Sequence, residues 1–148
     1  NQYLETRYFP RSYENIISHV KNLDGQSNEI FFAICDKETD NHIGNIKLGP
    51  INWVHGFADV SLLIGDKKFW GKGIGTQAIK AVCNFAFNTL NLHKLKAGCY
   101  ERNIGSSKAF EKAGFLKEGV LKKQWKLNGE FCDQIIYGLC VEDVYINH

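Results

Sequence analysis

The spacing of apolar positions changes several times along the chain, and each spacing predicts an element. Ser12 to Leu23 carries apolar residues at helical intervals, with Ser12 as a cap, which predicts an opening helix. A nearly continuous apolar run from Glu29 to Cys35, a polar turn and the segment His42 to Leu48 predict a β-hairpin. We expect Pro50 to end the second strand of this hairpin.

The second half of the chain alternates strand-like and helix-like patterns. Asn128-Gly129 separates the last two strands and is typical of a two-residue hairpin turn. The order predicts a mixed α/β fold in three layers, α/β/α, formed by one domain over residues 1–148. The predicted elements are a strand at Phe57–Ile64, a helix at Gly75–Leu90, a strand at Leu95–Cys99, a helix at Asn103–Ala113, and strands at Phe115–Trp125 and Glu130–Cys140.

Length, composition and charge narrow the class of protein. A chain of 148 residues with 44% hydrophobic residues fits one globular domain with its own core. No apolar run approaches the roughly 20 residues of a membrane helix and no secretory leader is visible, so we expect a cytoplasmic protein without a membrane partner. The formal net charge of +2 gives no support for nucleic-acid binding, and the cluster Lys122, Lys123 and Lys126 fits a solvated face.

The five cysteines form no Cys-x-x-Cys pair, which favours reduced, buried thiols over disulfides or a metal site. We therefore expect no bound metal. The chain contains no methionine, including at position 1, so we expect that these residues are not a complete translation product.

The candidate chemistry begins at a glycine-rich stretch between a strand and a helix, residues 70–76. Alternate glycines allow close backbone approach to a ligand, and a helix N-terminus attracts anions. A Walker loop is excluded because five residues separate Gly65 from Gly71-Lys72 and Gly73 follows the lysine. A dinucleotide fingerprint from Gly71 would need glycine where Thr76 stands. The stretch is therefore either another phosphate loop or a plain connection.

Three segments resemble the GNAT acyltransferase family over roughly residues 29 to 140. The stretch Trp70 to Gly75 resembles its pyrophosphate loop, Gln/Arg-x-x-Gly-x-Gly/Ala, at two glycines, whereas Trp70 departs from the pattern. Asn103 to Phe115 is similar to the family's late helix. Phe115 to Asp133 resembles the final hairpin of the branch typified by ribosomal-protein N-acetyltransferases. The family's usual N-terminal strand has no clear counterpart, and we expect it to be missing.

The resemblance implies a central, mostly antiparallel mixed sheet with a splayed strand pair, and acetyl-CoA or coenzyme A as the bound cofactor. It also implies which residues hold that cofactor. These are Leu62, Leu63, Ile64, Trp70, Gly71, Lys72, Gly73, Ile74, Gly75, Thr76, Asn103, Ser106, Phe110 and Lys112.

The oxyanion donor and the acid are assigned through the resemblance, whereas the base candidates are chosen by side-chain chemistry. A backbone N–H near Leu63 or Ile64 would stabilise the oxyanion, and Ile64 is the one we assign. Many members carry a tyrosine at the position of Phe110, which cannot donate a proton, so Ser106 is our candidate acid. Its alternatives are Ser107, Tyr100 and water. Glu5 is our candidate base, with His55, Asp59 and Asp133 as alternatives.

The remaining assignments concern the acceptor. We expect an N-acetyltransferase that acts on a primary amine of a small molecule, with a nucleotide-linked amino sugar as one candidate. The alternatives are a protein N-terminus and a non-catalytic acyl-CoA sensor, the latter because Phe110 lacks the acid. We expect a monomer or homodimer that does not bind nucleic acid. The acceptor-binding candidates are Tyr3, Arg7, Asp59, Trp125 and Asp133, and Phe9 and Trp53 are further aromatic candidates.

Overall fold

The computed structural model describes residues 2–4, 17–22, 28–36, 41–64 and 73–146. These residues form eight strands and three helices. The strands are β1 (Gln2–Leu4), β2 (Ile17–Asn22), β3 (Ile30–Cys35), β4 (His42–Asn52), β5 (Phe57–Ile64), β6 (Lys94–Tyr100), β7 (Leu116–Leu127) and β8 (Glu130–Cys140), and the helices are α1 (Ile74–Asn88), α2 (Ile104–Lys112) and α3 (Val141–Ile146).

All eight strands belong to one sheet in the order β1-β2-β3-β4-β5-β6-β8-β7. β5 and β6 run parallel and are connected through α1, whereas the other neighbouring pairs among the described strands are antiparallel. The expected mixed α/β fold with a mostly antiparallel central sheet is therefore confirmed.

The core lies between the sheet and α1. Phe85 of α1 is 1% exposed and meets Phe32 of β3 edge to face, with ring centroids 5.8 Å apart. Alternation along β5 buries Ala58 and Val60 on this side of the sheet, which we call the helix face. On the opposite face, Lys96 lies 5.0 Å from the ring centroid of Phe57. The two faces of β5 thus separate an apolar core from a polar surface.

The N-terminal segment differs from its sequence prediction. The helix expected over Ser12 to Leu23 is wrong where the structure describes it, because Ile17–Asn22 is strand β2. β-Branched residues such as Ile17 and Val20 suit a strand, and pairing with β3 satisfies the backbone in a way that helical spacing alone cannot reveal. Gln2–Leu4 forms a short strand antiparallel to β2, where the sequence showed no clear strand.

Pro50 does not end its strand, which is a second correction. β4 continues to Asn52 through a cis Gly49-Pro50 bond, and the register with β5 shifts between Leu48 and Ile51. Proline is tolerated inside a sheet where the hydrogen-bond ladder is already interrupted, as it is at a bulge. The exposed Pro50 occupies such an interruption.

The local signals in the second half of the chain are confirmed. Asn103 caps α2 through its side chain, and Gly114 follows the helix with φ +105°. The β7–β8 turn places Asn128 and Gly129 at φ +51° and +80°, as a type I′ turn requires. Helix α3 was not predicted.

All five cysteines are free thiols, and Cys140 alone among them is not fully buried. Within the described part of the chain, no helix is both long enough and apolar enough to cross a membrane.

Candidate functional site

The site begins where β5 and β6 separate. Their described pairing covers Phe57 with Lys94, Ala58 with Leu95 and Asp59 with Lys96, and then stops. β5 continues to Ile64 against β4, and β6 continues to Tyr100 against β8. Because backbone groups in an antiparallel ladder alternate between the two edges of a strand, part of the backbone of residues 60–64 faces this gap. The expected splayed strand pair is therefore present.

A cavity of about 280 Å³ occupies the gap. Its walls come from β5, β6, α2 and the β7–β8 hairpin, and none of the described lining residues is charged. The lining residues are Val60, Ser61, Leu62, Gly98, Cys99, Tyr100, Asn103, Ser106, Phe110, Trp125 and Gln134.

The N-terminus of α1 lies beside this gap. Gly73 caps the helix with φ +78°, a left-handed conformation that glycine adopts without strain, and no atom of the other described residues is recorded within 4 Å of its missing Cβ. A Cβ at Gly75 would lie 3.1 Å from the side chain of Leu62 and 3.5 Å from that of Ile64, so the first turn packs on the end of β5. No acidic residue occupies that turn. The helix N-terminus is therefore suited to an anion next to the cavity.

Helix α2 supplies a second wall. The Asn103 side chain accepts a hydrogen bond from the backbone N–H of Ser106 at 3.1 Å, and both residues line the cavity. Phe110 also lines it, although it is only 2% exposed and packs edge to face on Phe115 at 5.0 Å. The late-helix position therefore presents a ring without a hydroxyl group.

Cys99 places a thiol in the cavity wall. Burial raises the pKa of Cys99, and the neighbouring hydroxyl groups of Ser107 and Ser106 only partly oppose this shift. A thiol attacks efficiently only as a thiolate. Cys99 is thus held in its protonated form at neutral pH, which argues against a covalent acyl-cysteine intermediate.

Tyr137 lies behind this wall and is 2% exposed. Its hydroxyl donates a hydrogen bond to Glu111 Oε2 at 2.9 Å, and burial is the main cause that raises the pKa of Tyr137. Ser107 lies beside it, but its buried hydroxyl has no hydrogen-bond partner of ordinary geometry among the described residues. Neither Tyr137 nor Ser107 lines the cavity, so Ser106 and Tyr100 are the hydroxyl donors among the sequence candidates that do.

The outer wall comes from β6 and the final hairpin. Tyr100 and Trp125 meet edge to face, with ring centroids 5.6 Å apart and an interplanar angle of 87°. Beside them, Gln134 lies against Gly98, since a Cβ at position 98 would collide with the Gln134 amide nitrogen. The absence of a side chain at Gly98 thus leaves room for this amide in the cavity wall.

Asp133 directly precedes Gln134 on β8. Its Oδ1 accepts a hydrogen bond from the backbone N–H of Lys123 at 2.8 Å, and its Oδ2 lies 3.4 Å from Lys122 Nζ. The Lys123 hydrogen bond is the largest cause that lowers the pKa of Asp133. The carboxylate is therefore charged and engaged with the backbone of β7.

The structure brings together part of the residue set implied by the sequence. Those that line the cavity are Leu62, Asn103, Ser106, Phe110 and Trp125. Those placed at the adjacent helix start are Gly73, Ile74, Gly75 and Thr76. Leu63 and Ile64 lie at the end of β5, beyond its pairing with β6 but still paired with β4, and Leu63 is 65% exposed.

The other predicted residues either do not line the cavity or lie outside the described part of the chain. Asp59 forms an ion pair with Lys96 at 3.6 Å, Lys112 lies exposed in the last turn of α2, and Trp53 and His55 lie in the β4–β5 turn. Outside the described residues lie Glu5, Arg7, Phe9, Trp70, Gly71 and Lys72. The structure describes the backbone of Tyr3 within β1, but not its side chain. The roles predicted for all of these residues remain predictions.

Some lining residues were missed by the sequence analysis, namely Val60, Ser61, Gly98, Cys99 and Gln134. The alternation of β6 is the signal that could have placed Gly98 on the same side as Tyr100. The position of Gln134 depends on the β6–β8 register, which pairs it with Tyr100 and which the sequence does not reveal. Among the described residues no group of histidine, cysteine or acidic side chains could hold a metal ion.

Comparison with known proteins gives a consistent result. The family described as Acetyltransferase (GNAT) domain matches residues 2–116. The chain is 37% identical over 117 residues to the probable N-acetyltransferase YjcK of Bacillus subtilis, covering 78% of this chain and 64% of that protein. It is 30% identical over 132 residues to the spermidine N(1)-acetyltransferase of Escherichia coli K12, covering 86% of this chain and 69% of that protein.

Solved structures show the same likeness. The spermidine N-acetyltransferase of Vibrio cholerae, in complex with CoA and spermine, superposes with a TM-score of 0.75 at 26% identity, covering 82% of this chain and 70% of that chain. Another structure of the Vibrio cholerae enzyme is described as dodecameric. The likeness therefore extends over most of this chain, which in turn spans slightly less than two thirds of YjcK.

Proposed function

The chain belongs to the GNAT acetyltransferase family, and from that premise we propose that it transfers an acetyl group from acetyl-CoA to a primary amine of a small molecule. The observation that carries the proposal is the gap between β5 and β6 with the α1 N-terminus beside it. Bound there, acetyl-CoA supplies an acetyl group activated as a thioester. The finer assignment to the ribosomal-protein branch stays a prediction.

The residues at the gap fit such a coenzyme. The α1 N-terminus, from Gly73 onward, offers backbone N–H groups and a positive dipole to a pyrophosphate. The end of β5 offers a strand edge to an amide-bearing arm. In our proposal a backbone N–H near the end of β5 donates to the oxyanion that forms during transfer, a contribution that can be worth about 10²–10³ in rate.

Proton transfer must proceed without the tyrosine that many family members carry. Ser106 lines the cavity and remains our proposed donor to the departing thiolate, and Tyr100 and Ser61 are the other hydroxyl-bearing residues in the wall. The protonated Cys99 supports direct attack by the amine. Substitution of Ser106 tests whether this residue donates the proton to the thiolate, a role that Phe110 cannot fill because it carries no hydroxyl group.

For the acceptor, we propose a spermidine-like amine as the first candidate. Relatives from two organisms are named spermidine N(1)-acetyltransferases, and this supports a small alkylamine over the nucleotide-linked amino sugar that is one candidate from the sequence. Aromatic faces, such as those of Tyr100 and Trp125, attract alkylammonium groups. A protein N-terminus and a non-catalytic acyl-CoA sensor remain the alternatives. The expected monomer or homodimer also stays a prediction, given the dodecamer described for the Vibrio cholerae enzyme.

Acetyl-CoA in excess is expected to stabilise the purified protein and to be consumed when spermidine is added. A ligand at about 100 times its dissociation constant stabilises the folded state by about 2.7 kcal/mol, which shifts Tm by several degrees for a domain of this size. Thermal denaturation measures the first effect, and mass spectrometry of the acetylated amine measures the second. A thermal shift without turnover on a panel of amines would favour the sensor, and no shift would contradict the coenzyme site.

Gly98→Ala is expected to raise the KM for the acceptor with a stability change below about 1 kcal/mol. The new methyl group would displace the Gln134 amide, which is the flexible end of a side chain and so can move at low cost. Steady-state kinetics with varied spermidine measure the effect. Gly119→Ala is the matched control in β7, because no described neighbour lies within 4 Å of its missing Cβ. Equal KM values for the two variants would show that Gln134 does not contact the acceptor.

A further inference from the structure

The β7–β8 hairpin contains an irregularity next to the cavity. Leu121 pairs with Gln134 and Trp125 pairs with Cys132, so residues 122–124 stand opposite Asp133 alone. We call residues 122–124 the β7 bulge. Lys123, at its centre, has φ +52°, a left-handed conformation that costs a non-glycine residue free energy. Such a conformation persists only when surrounding interactions hold it.

The Asp133 carboxylate provides those interactions. It accepts the backbone N–H of Lys123 at 2.8 Å and lies 3.4 Å from the Lys122 ammonium group. A carboxylate that accepts a backbone N–H forms a stronger hydrogen bond than a neutral acceptor does. The bulge therefore has its shape fixed from the neighbouring strand.

Asp133 is also fixed to the end of β6. Its backbone N–H donates to Glu101 Oε1 at 3.1 Å, and the Glu101 N–H donates to the Asp133 carbonyl oxygen at 3.0 Å. Glu101 directly follows Tyr100, and Trp125 directly follows the β7 bulge. One residue thus connects the two chain segments that carry the cavity's aromatic pair.

The rings of Tyr100 and Trp125 remain partly exposed and can contact an acceptor. Tyr100 and Trp125 are 38% and 39% exposed, so each ring keeps accessible area although the two rings pack edge to face. No described lining residue is charged, so an acceptor's carbon chain or ammonium group meets aromatic faces and neutral polar groups.

We propose that Trp125 and Tyr100 select the acceptor by holding its alkylammonium chain, and that Asp133 is the positioning residue that sets Trp125 through the β7 bulge. This inference rests on the proposed acetyl transfer. It assigns Asp133 a role different from that of a base or a direct substrate ligand, since its carboxylate is directed at the backbone of β7.

Trp125→Leu and Asp133→Ala are each expected to raise the KM for spermidine about tenfold. The KM for acetyl-CoA should stay within about twofold, because neither residue belongs to the α1 N-terminus or to the end of β5, where the coenzyme is proposed to bind. Asp133→Asn keeps an oxygen that can accept the Lys123 N–H and should recover most of the spermidine affinity. The matched control is Glu130→Ala, which removes the hairpin's ion pair with Arg102. Near-UV circular dichroism should show that Asp133→Ala disturbs the Tyr100–Trp125 pair.

A binding measurement separates this inference from the proposed function. Spermidine titrated in the presence of CoA should change the part of the tryptophan fluorescence that Trp125→Phe removes. Binding without turnover would reject the acetyl transfer and retain the subsite. Turnover with unaltered spermidine KM in Trp125→Leu and Asp133→Ala would overturn the subsite and retain the transfer. If spermidine is neither bound nor acetylated, both the subsite and the acetyl transfer are overturned.

Discussion

Gly73→Asp is expected to weaken acetyl-CoA binding about 100-fold. The new carboxylate would stand at the cap of α1, where the proposed pyrophosphate lies, and would replace attraction to the helix N-terminus by charge repulsion. Unit charges about 4 Å apart interact by about 1–4 kcal/mol near a protein surface. A 100-fold loss of affinity corresponds to about 2.7 kcal/mol, which lies within this range. Isothermal titration with acetyl-CoA measures the change directly.

The matched control for this substitution is Gly129→Asp. Gly129 has φ +80°, close to the +78° of Gly73, and in the part of the chain that the structure describes no neighbouring atom is recorded within 4 Å of the missing Cβ at either position. The two variants therefore carry similar backbone strain, but Gly129 lies in the β7–β8 turn. Equal affinities for acetyl-CoA in the two variants would reject the helix start as the pyrophosphate site.

Phe85→Ala is expected to destabilise the domain by about 3–5 kcal/mol. The ring is 1% exposed and packs on Phe32, so its loss leaves a cavity between α1 and the sheet. A total stability of about 5–15 kcal/mol is typical, so the loss should lower Tm by about 10 °C or more. Thermal denaturation followed by circular dichroism measures the shift.

Phe131→Ala serves as the control for Phe85, because the Phe131 ring is 57% exposed on β8. Its removal should cost much less, since little apolar area returns to water. Equal Tm values for Phe85→Ala and Phe131→Ala would show that the Phe85 ring does not anchor α1 to the sheet.

The periodic segments of the chain were predictable because their patterns are local. The strand Phe57–Ile64 has the predicted bounds, and the helices that follow begin and end within two residues of the prediction. Strand β2 was predicted as a helix because its strand character depends on pairing with β3. The sequence predicts a strand end at Pro50 because a bulge that accommodates proline leaves no signature in the sequence.

The sequence predicts those parts of the candidate site that lie within a single helix or strand. Asn103, Ser106 and Phe110 share one helix face, and a family pattern within one helix is visible in the sequence. The outer wall depends on register. Trp125 reaches the cavity because the β7 bulge shifts its pairing, and Gln134 reaches it because Gly98 leaves space. Asp133 was considered as a base or ligand, since only the fold shows its carboxylate bonded to Lys123.

The position of β7 at the end of the sheet order affects how copies of this protein meet. A straight outermost strand offers a row of unpaired backbone groups onto which a strand of another molecule can add, and this is a common start of aggregation. Strand β7 interrupts that row with its bulge and carries lysines at positions 117, 122, 123 and 126. The same bulge that places Trp125 therefore also protects this edge against intermolecular strand addition.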